Sequence, residues 1–152
     1  MSTALHTKPV MTVPFEDHID WYTLEGFPHL AYHICAVDEA KRIVDILFKF
    51  DANSQIALHR HKADYITLTL RGELRIYRPN GELKEIRPTG AYVSGTADGE
   101  PHREGGGDED VIAFFSNRNV ENLVYEILDD NLNTVATLGM AEFKALHAAQ
   151  RD

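Results

Sequence analysis

Two histidines separated by a single residue, His59 and His61, are the side chains of this 152-residue sequence best placed to do chemistry. Alternate side chains of a β-strand point to the same face, so both imidazoles would lie on one side of a strand. A third histidine, His102, follows about forty residues later, directly after a proline. Three imidazoles brought together would bind one metal ion and leave coordination positions open, which is typical of catalytic rather than structural metal centres.

Short alternating segments separated by turn residues must position these histidines. The pattern predicts ten strands and one terminal helix over residues 140–149. The strands are expected at residues 30–37, 42–50, 55–61, 65–70, 73–77, 83–87, 91–94, 111–116, 122–128 and 134–138. Asn80-Gly81 predicts a hairpin turn, and the glycines at 105–107 predict a break. Such spacing favours an antiparallel barrel or sandwich.

Composition excludes several functional classes. The net charge of −9 argues against a nucleic-acid partner, and the absence of a run of about 20 apolar residues argues against a membrane span. The single cysteine, Cys35, permits no intrachain disulfide, which fits the reducing cytoplasm, and its apolar neighbours predict that it is buried. We expect one domain: an arm over residues 1–26, a barrel over 27–139, and a helix over 140–152 packed on that barrel.

The first histidine pair stands among residues of a known motif. Residues 53–72 resemble the first cupin motif, because His59, His61 and Gly72 match it in type and spacing. Asn53 stands where the motif has its leading glycine, and asparagine tolerates the left-handed backbone better than most residues.

The third histidine stands in a segment that resembles the second cupin motif. Gly90, Gly99 and His102 match that motif within residues 90–102, although Ala97 replaces its usual proline. The resemblance implies an RmlC-like cupin: an all-β, single-domain double-stranded β-helix, or jelly-roll barrel, here with a short C-terminal helix. It also implies that the three histidines are the metal ligands.

One departure from the usual cupin pattern points to a smaller group of cupins. Cupins commonly add a glutamate ligand about four residues after His-x-His, where this chain has Asp64 and Tyr65. A three-histidine site is similar to the small acetylacetone dioxygenase and 2,4'-dihydroxyacetophenone dioxygenase-like cupins. That likeness implies a non-haem Fe(II) centre that cleaves a carbon–carbon bond of a β-diketone or hydroxyketone with O2, in a homodimer or homotetramer. Zn, Mn and Ni are alternatives, because imidazole binds them too.

Three neutral imidazoles would leave the full 2+ charge of the ion available to an anionic, chelating substrate such as an enolate. No catalytic group beyond the metal centre is predicted. Asp64, Asp98 and Glu100 are candidates for a fourth ligand or for hydrogen bonding to a ligand. Candidates for lining the pocket are Gln55, Ala57, Tyr65, Thr67 and His33. Two other functions stay open: a non-oxidative Zn or Mn isomerase or hydrolase-like enzyme, and a non-catalytic ligand-binding or sensor cupin.

Overall fold

A computed structural model describes residues 15–150 of the chain, which form a short 3-10 helix, eleven β-strands and one α-helix. The predicted arm over residues 1–26 and the predicted helix over 140–152 therefore extend beyond the described residues. The elements are the 3-10 helix Phe15–His18, β1 (Leu30–Asp38), β2 (Ile43–Phe50), β3 (His59–His61), β4 (Asp64–Arg71), β5 (Leu74–Tyr77), β6 (Leu83–Arg87), β7 (Tyr92–Gly95), β8 (Arg103–Gly106), β9 (Val111–Arg118), β10 (Leu123–Leu128), β11 (Thr134–Gly139) and α1 (Met140–Ala149).

The strands form three antiparallel sheets that together make the barrel. One sheet has five strands in the order β1-β2-β9-β4-β7, and the other two have three strands each, β11-β10-β3 and β6-β5-β8. An antiparallel bridge between His59 and His102 joins the two smaller sheets. The prediction of an all-β barrel with a short C-terminal helix is confirmed. None of the helices in residues 15–150 is long and apolar enough to cross a membrane.

Strand β2 shows why the sequence folds into this barrel. Its burial alternates residue by residue, and Val44, Ile46, Phe48 and Phe50 all point into the core. Phe48 meets the ring of Phe115 on β9 edge to face, with 5.1 Å between centroids. This alternation buries one face of the sheet and fixes the strand register, because a slip of one residue would turn every apolar side chain outward.

The turns follow the predicted backbone chemistry, with one exception. Asn53 has a positive φ of 52° and Gly81 a positive φ of 92°, and the latter closes the predicted β5–β6 hairpin. The predicted break over residues 105–107 is wrong, because Gly105 belongs to β8. A Cβ at this position would stand 1.7 Å from the carbonyl oxygen of Ser54. The glycine therefore permits a close backbone approach rather than a turn.

The prediction that Cys35 is buried is also wrong. Tyr32 and Ile34 are the buried residues of β1, so strand alternation turns the Cys35 side chain away from the core, where it is exposed. The register of β1 against β2 also skips Cys35, between Ile34 and Ala36.

Both ends of the described chain fold back onto β1. The N-terminal segment is held by two backbone hydrogen bonds between Tyr22 and Tyr32, of 2.9 and 2.8 Å. At the other end, Phe143 of α1 packs into the core. The side chain of Gln150, directly after α1, accepts a hydrogen bond from the Ile34 N–H and donates one to the Ile34 carbonyl, both 2.8 Å long. These contacts place the N-terminal segment and α1 beside the barrel.

Candidate metal centre

The two histidine-bearing segments are joined through their backbones. The His59 N–H donates to the His102 carbonyl and the His102 N–H donates to the His59 carbonyl, at 3.0 Å in both directions. On its other side, β3 pairs with β10, where Tyr125 lies opposite His61. Strand β3 is shorter than the predicted 55–61, and its position is fixed from both sides. The histidines are therefore held by paired strands rather than by free loops.

Four side chains, not three, meet at this junction. His59, His61, His102 and Glu104 each direct one donor atom to a common point, and these atoms all lie within 4.8 Å of one another. The Nε2 of His59 is 2.9 Å from Oε1 of Glu104, and the Nε2 atoms of His61 and His102 are 3.2 Å apart. All four residues are less than one-tenth exposed. We call them the four-residue cluster.

Neighbouring groups orient the imidazoles. The Nδ1 of His59 is 2.9 Å from the Ala57 carbonyl. Because a carbonyl only accepts, Nδ1 carries a hydrogen, and Nε2 is the ring nitrogen that faces the cluster. The ring of His61 is stacked on Tyr65 with 3.7 Å between centroids and 15° between planes. Within the described residues, Nδ1 of His61 is buried without a hydrogen-bond partner.

The electrostatics of the cluster fit a cation. Burial alone would raise the pKa of the Glu104 carboxyl, but hydrogen bonds with His102 and His59 outweigh it and hold that pKa well below its usual range. Burial and the neighbouring His59 lower the pKa of His61 well below its ordinary value, so this imidazole is neutral. A carboxylate and three imidazoles, which bind metal ions in their neutral form, are a donor set that suits Fe, Zn, Mn or Ni.

The carboxylates considered as fourth ligands lie outside the cluster. Asp64 accepts hydrogen bonds from the Ala97 N–H at 3.0 Å and from Asn119 Nδ2 at 3.1 Å. Asp98 and Glu100 form ion pairs with lysine side chains and are more than half exposed. All three carboxylates therefore have hydrogen-bond or ion-pair partners outside the cluster.

The residues considered as pocket lining divide into two groups. Ala57 lines the cavity described below, and Tyr65 packs on a cluster imidazole. Gln55 instead donates to the Gly81 carbonyl in the hairpin turn, and Thr67 accepts a hydrogen bond from the buried Arg87. His33 contacts the backbone of the N-terminal segment. These three do not line that cavity.

Glu104 is the site residue that sequence reasoning missed. It follows His102 by two residues at the start of β8, so both side chains point to one face. The signal was a His-x-Glu pair, the counterpart of His59-x-His61. The structure therefore places a carboxylate from just after the second motif beside the three predicted histidines.

An apolar cavity adjoins one side of the cluster. It is enclosed by barrel side chains such as Phe48 and Phe115, by the segment before β1, and by α1. His59 and Glu104 belong both to this cavity and to the cluster, whereas His61 and His102 belong only to the cluster. A molecule in the cavity would therefore meet the cluster at the His59–Glu104 edge.

No family model matches the sequence, and no curated protein matches it. Solved structures do. An RmlC-like cupin protein from Ralstonia eutropha JMP134 shares 18% identity over 86% of this chain and 80% of that chain, with a TM-score of 0.70. An acetylacetone dioxygenase from Acinetobacter johnsonii shares 14% identity over 99% of both chains, with a TM-score of 0.68. The polyketide cyclase RemF from Streptomyces resistomycificus shares 18% identity over 72% of this chain and 80% of that chain, with a TM-score of 0.55. The chain has the fold of the RmlC-like cupins.

Proposed function

We propose that this protein is a non-haem Fe(II) dioxygenase that cleaves a carbon–carbon bond of a β-diketone or hydroxyketone. The observation that carries the proposal is the buried cluster of three histidines and one glutamate at the edge of an apolar cavity. His59, His61, His102 and Glu104 would hold the ion. Structural similarity to an acetylacetone dioxygenase along nearly the whole chain supports this substrate class.

Glu104 changes the charge expected at the centre. Three neutral imidazoles would leave a charge of 2+ on the ion, whereas one carboxylate ligand reduces the net charge to 1+. A single enolate would then make the buried complex neutral. Because an unbalanced charge is costly in a site shielded from water, the cluster favours a monoanion over a dianion or a neutral ligand.

The proposed reaction balances with O2 as the only co-substrate. In a β-diketone, the bond between the central carbon and one carbonyl carbon breaks, and each fragment gains one oxygen atom. The products are a carboxylic acid and a 2-oxoaldehyde, which receive one each of the two hydrogens of the central carbon. When bound, Fe(II) would supply Lewis-acid polarisation of the substrate oxygens and redox chemistry with O2.

The protein's own groups have two tasks in this reaction. The backbone bridge between His59 and His102 fixes the two histidine segments relative to each other, so the ligand set is preorganised. Apolar walls around the His59–Glu104 edge exclude water, which strengthens the attraction between the centre and a bound enolate.

The proposal is tested by metal analysis and oxygen uptake. Protein purified without chelators should contain about one iron per chain and should consume O2 in step with the loss of 1-phenylbutane-1,3-dione. Mass spectrometry should detect label from ¹⁸O2 in both products. Stoichiometric iron without any O2 uptake on β-diketones or hydroxyketones would contradict the dioxygenase.

A second candidate is a non-oxidative isomerase or hydrolase-like enzyme that uses Zn or Mn. Similarity to a polyketide cyclase supports it, and so does Glu104, because an imidazole and carboxylate set suits zinc and manganese as well as iron. Tightly bound zinc, together with substrate conversion that is unchanged under argon, would favour this candidate. A non-catalytic, ligand-binding cupin would instead bind a ketone without converting it under either atmosphere.

Assembly and location remain proposals. We expect a homodimer or homotetramer, since β6 and β7 are edge strands that expose Leu83, Ile86 and Tyr92. Light scattering of the purified protein would give its mass directly. The single cysteine supports a cytoplasmic location.

A further inference from the structure

Two imidazoles of the four-residue cluster are oriented in different ways. The Nδ1 of His59 donates to the Ala57 carbonyl at 2.9 Å, whereas Nδ1 of His61 is buried and has no hydrogen-bond partner in residues 15–150. A metal-ligating imidazole ordinarily uses its second nitrogen to fix the ring, and rotation of the ring about its bond to Cβ is otherwise only weakly restricted. A contact other than a hydrogen bond must therefore hold the His61 ring.

The ring of Tyr65 makes that contact. Its centroid lies 3.7 Å from that of the His61 ring with 15° between the planes, whereas the rings of Tyr125 and Phe115 are 5.5 and 6.4 Å away. Rotation of the imidazole would drive its edge into the face of the tyrosine. We propose that Tyr65 is a positioning residue of the metal centre, whose ring holds the His61 imidazole so that Nε2 points into the cluster. This inference rests on the metal centre of the proposed function and not on the reaction.

A glycine on the neighbouring strand makes room for the tyrosine. Gly95, on β7, lies opposite Tyr65 in the strand register. A Cβ at Gly95 would stand 2.5 Å or less from Cε1, Cζ and Oη of Tyr65. The φ of Gly95 is not positive, so the tyrosine and not the backbone excludes a side chain there. Any larger residue at position 95 would therefore push the Tyr65 ring from its place against His61.

Zinc binding by variants of Tyr65 tests the inference without turnover. Competition with a chromophoric chelator gives the Zn²⁺ affinity of the parent, Tyr65→Phe and Tyr65→Leu. Phenylalanine keeps the stacked ring, so Tyr65→Phe should match the parent. Leucine removes the ring, so affinity should fall roughly tenfold, as is typical when a group that orients a ligand is lost. Tyr77→Leu is the control, because Tyr77 is a buried tyrosine on β5 outside the cluster, and its loss should weaken the fold but not zinc binding. Parent affinity in folded Tyr65→Leu would overturn the inference.

Gly95→Ala tests the same contact while the tyrosine is still present. The added methyl group displaces the ring, so zinc affinity should fall about as far as in Tyr65→Leu. The double variant should bind zinc no more weakly than Tyr65→Leu alone, because both changes remove one shared contact. Gly99→Ala is the matched control, since a Cβ there would be in ordinary contact, 3.8 Å from the Thr96 carbonyl oxygen. Additive losses in the double variant would contradict the proposed role of Tyr65.

NMR of the metal-free protein separates this inference from the proposed function. In the parent, the His61 ring protons should show cross-peaks to Tyr65 and an upfield shift caused by its ring. In Tyr65→Leu the His61 ring signals should move and broaden, whereas those of His59, held by the Ala57 carbonyl, should not. If this holds but the parent binds neither iron nor zinc, the placement of His61 by Tyr65 stands and the proposed function fails. If the His61 ring is equally ordered without the tyrosine, the inference is overturned whatever metal the cluster holds.

Discussion

The cavity has two unlike ends, and they are built differently. At the polar end, His59 and Glu104 belong to a cluster fixed by backbone hydrogen bonds between barrel strands. At the apolar end, Leu24 and Leu146 belong to segments outside the barrel that are held at a few points. Paired barrel strands therefore fix the candidate metal ligands, whereas the apolar wall depends on segments that flank the barrel in sequence.

Removal of one histidine should have the largest effect, and only at the polar end. In His61→Ala, metal affinity should fall at least about a hundredfold, because removal of a direct ligand costs more than loss of its supporting contacts. Circular dichroism should still report a β fold, since the strand pairing of β3 uses backbone groups. His18→Ala, at an exposed histidine, is the control. Metal content equal to the parent would exclude His61 as a ligand.

Glu104 should give the next largest effect. Glu104→Gln keeps the side-chain shape but removes the negative charge, so zinc affinity should fall roughly tenfold. Glu100→Gln serves as the control, because Glu100 is a nearby carboxylate that is paired with Lys84 at the surface. Wild-type zinc affinity in Glu104→Gln would mean that the three histidines alone hold the ion.

The two ends of the cavity also differ in how far the sequence predicts them. The glycines and histidines of two motifs predicted the fold and brought His59, His61 and His102 together. Glu104 was not predicted, because the glycines after it indicate a break rather than a strand. Without a strand, side-chain alternation cannot place Glu104 on the same face as His102. The close approach of Gly105 to Ser54, which keeps this segment in β8, is a tertiary contact that no local pattern reveals.

The apolar end could not have been predicted from the sequence at all. Leu24 and Leu146 are more than a hundred residues apart and belong to no motif. Each is an ordinary apolar side chain, and only the packing of the segment before β1 and of α1 onto β1 brings them to one cavity. Sequence reasoning instead looked for pocket lining near the histidines in sequence, and therefore considered residues such as Gln55 and Thr67.

Weakening the contacts that hold the apolar end should have a smaller effect. It should lower the stability of the fold without changing metal binding. Gln150→Ala removes the two hydrogen bonds to Ile34, which should lower the free energy of unfolding by about 1 kcal/mol and speed amide exchange in α1. Zinc affinity should not change, because neither hydrogen bond involves the four-residue cluster. Lys144→Ala, at an exposed ion pair on the same helix, is the control. A change in zinc affinity would show that the two ends are coupled.

Asp64 should give the smallest effect, because it belongs to neither end. Its pKa is lowered by hydrogen bonds from the Ala97 N–H and from Asn119. A lowered pKa in the folded state means that the carboxylate stabilises the fold above its unfolded pKa of about 3.9, and that this contribution is lost as the pH falls through the folded value. Asp64→Asn should therefore unfold at lower urea concentration than the parent at pH 7, and the difference should shrink below about pH 4. Its zinc content should equal that of the parent, because a ligand role for Asp64 would require its carboxylate to leave both hydrogen-bond donors.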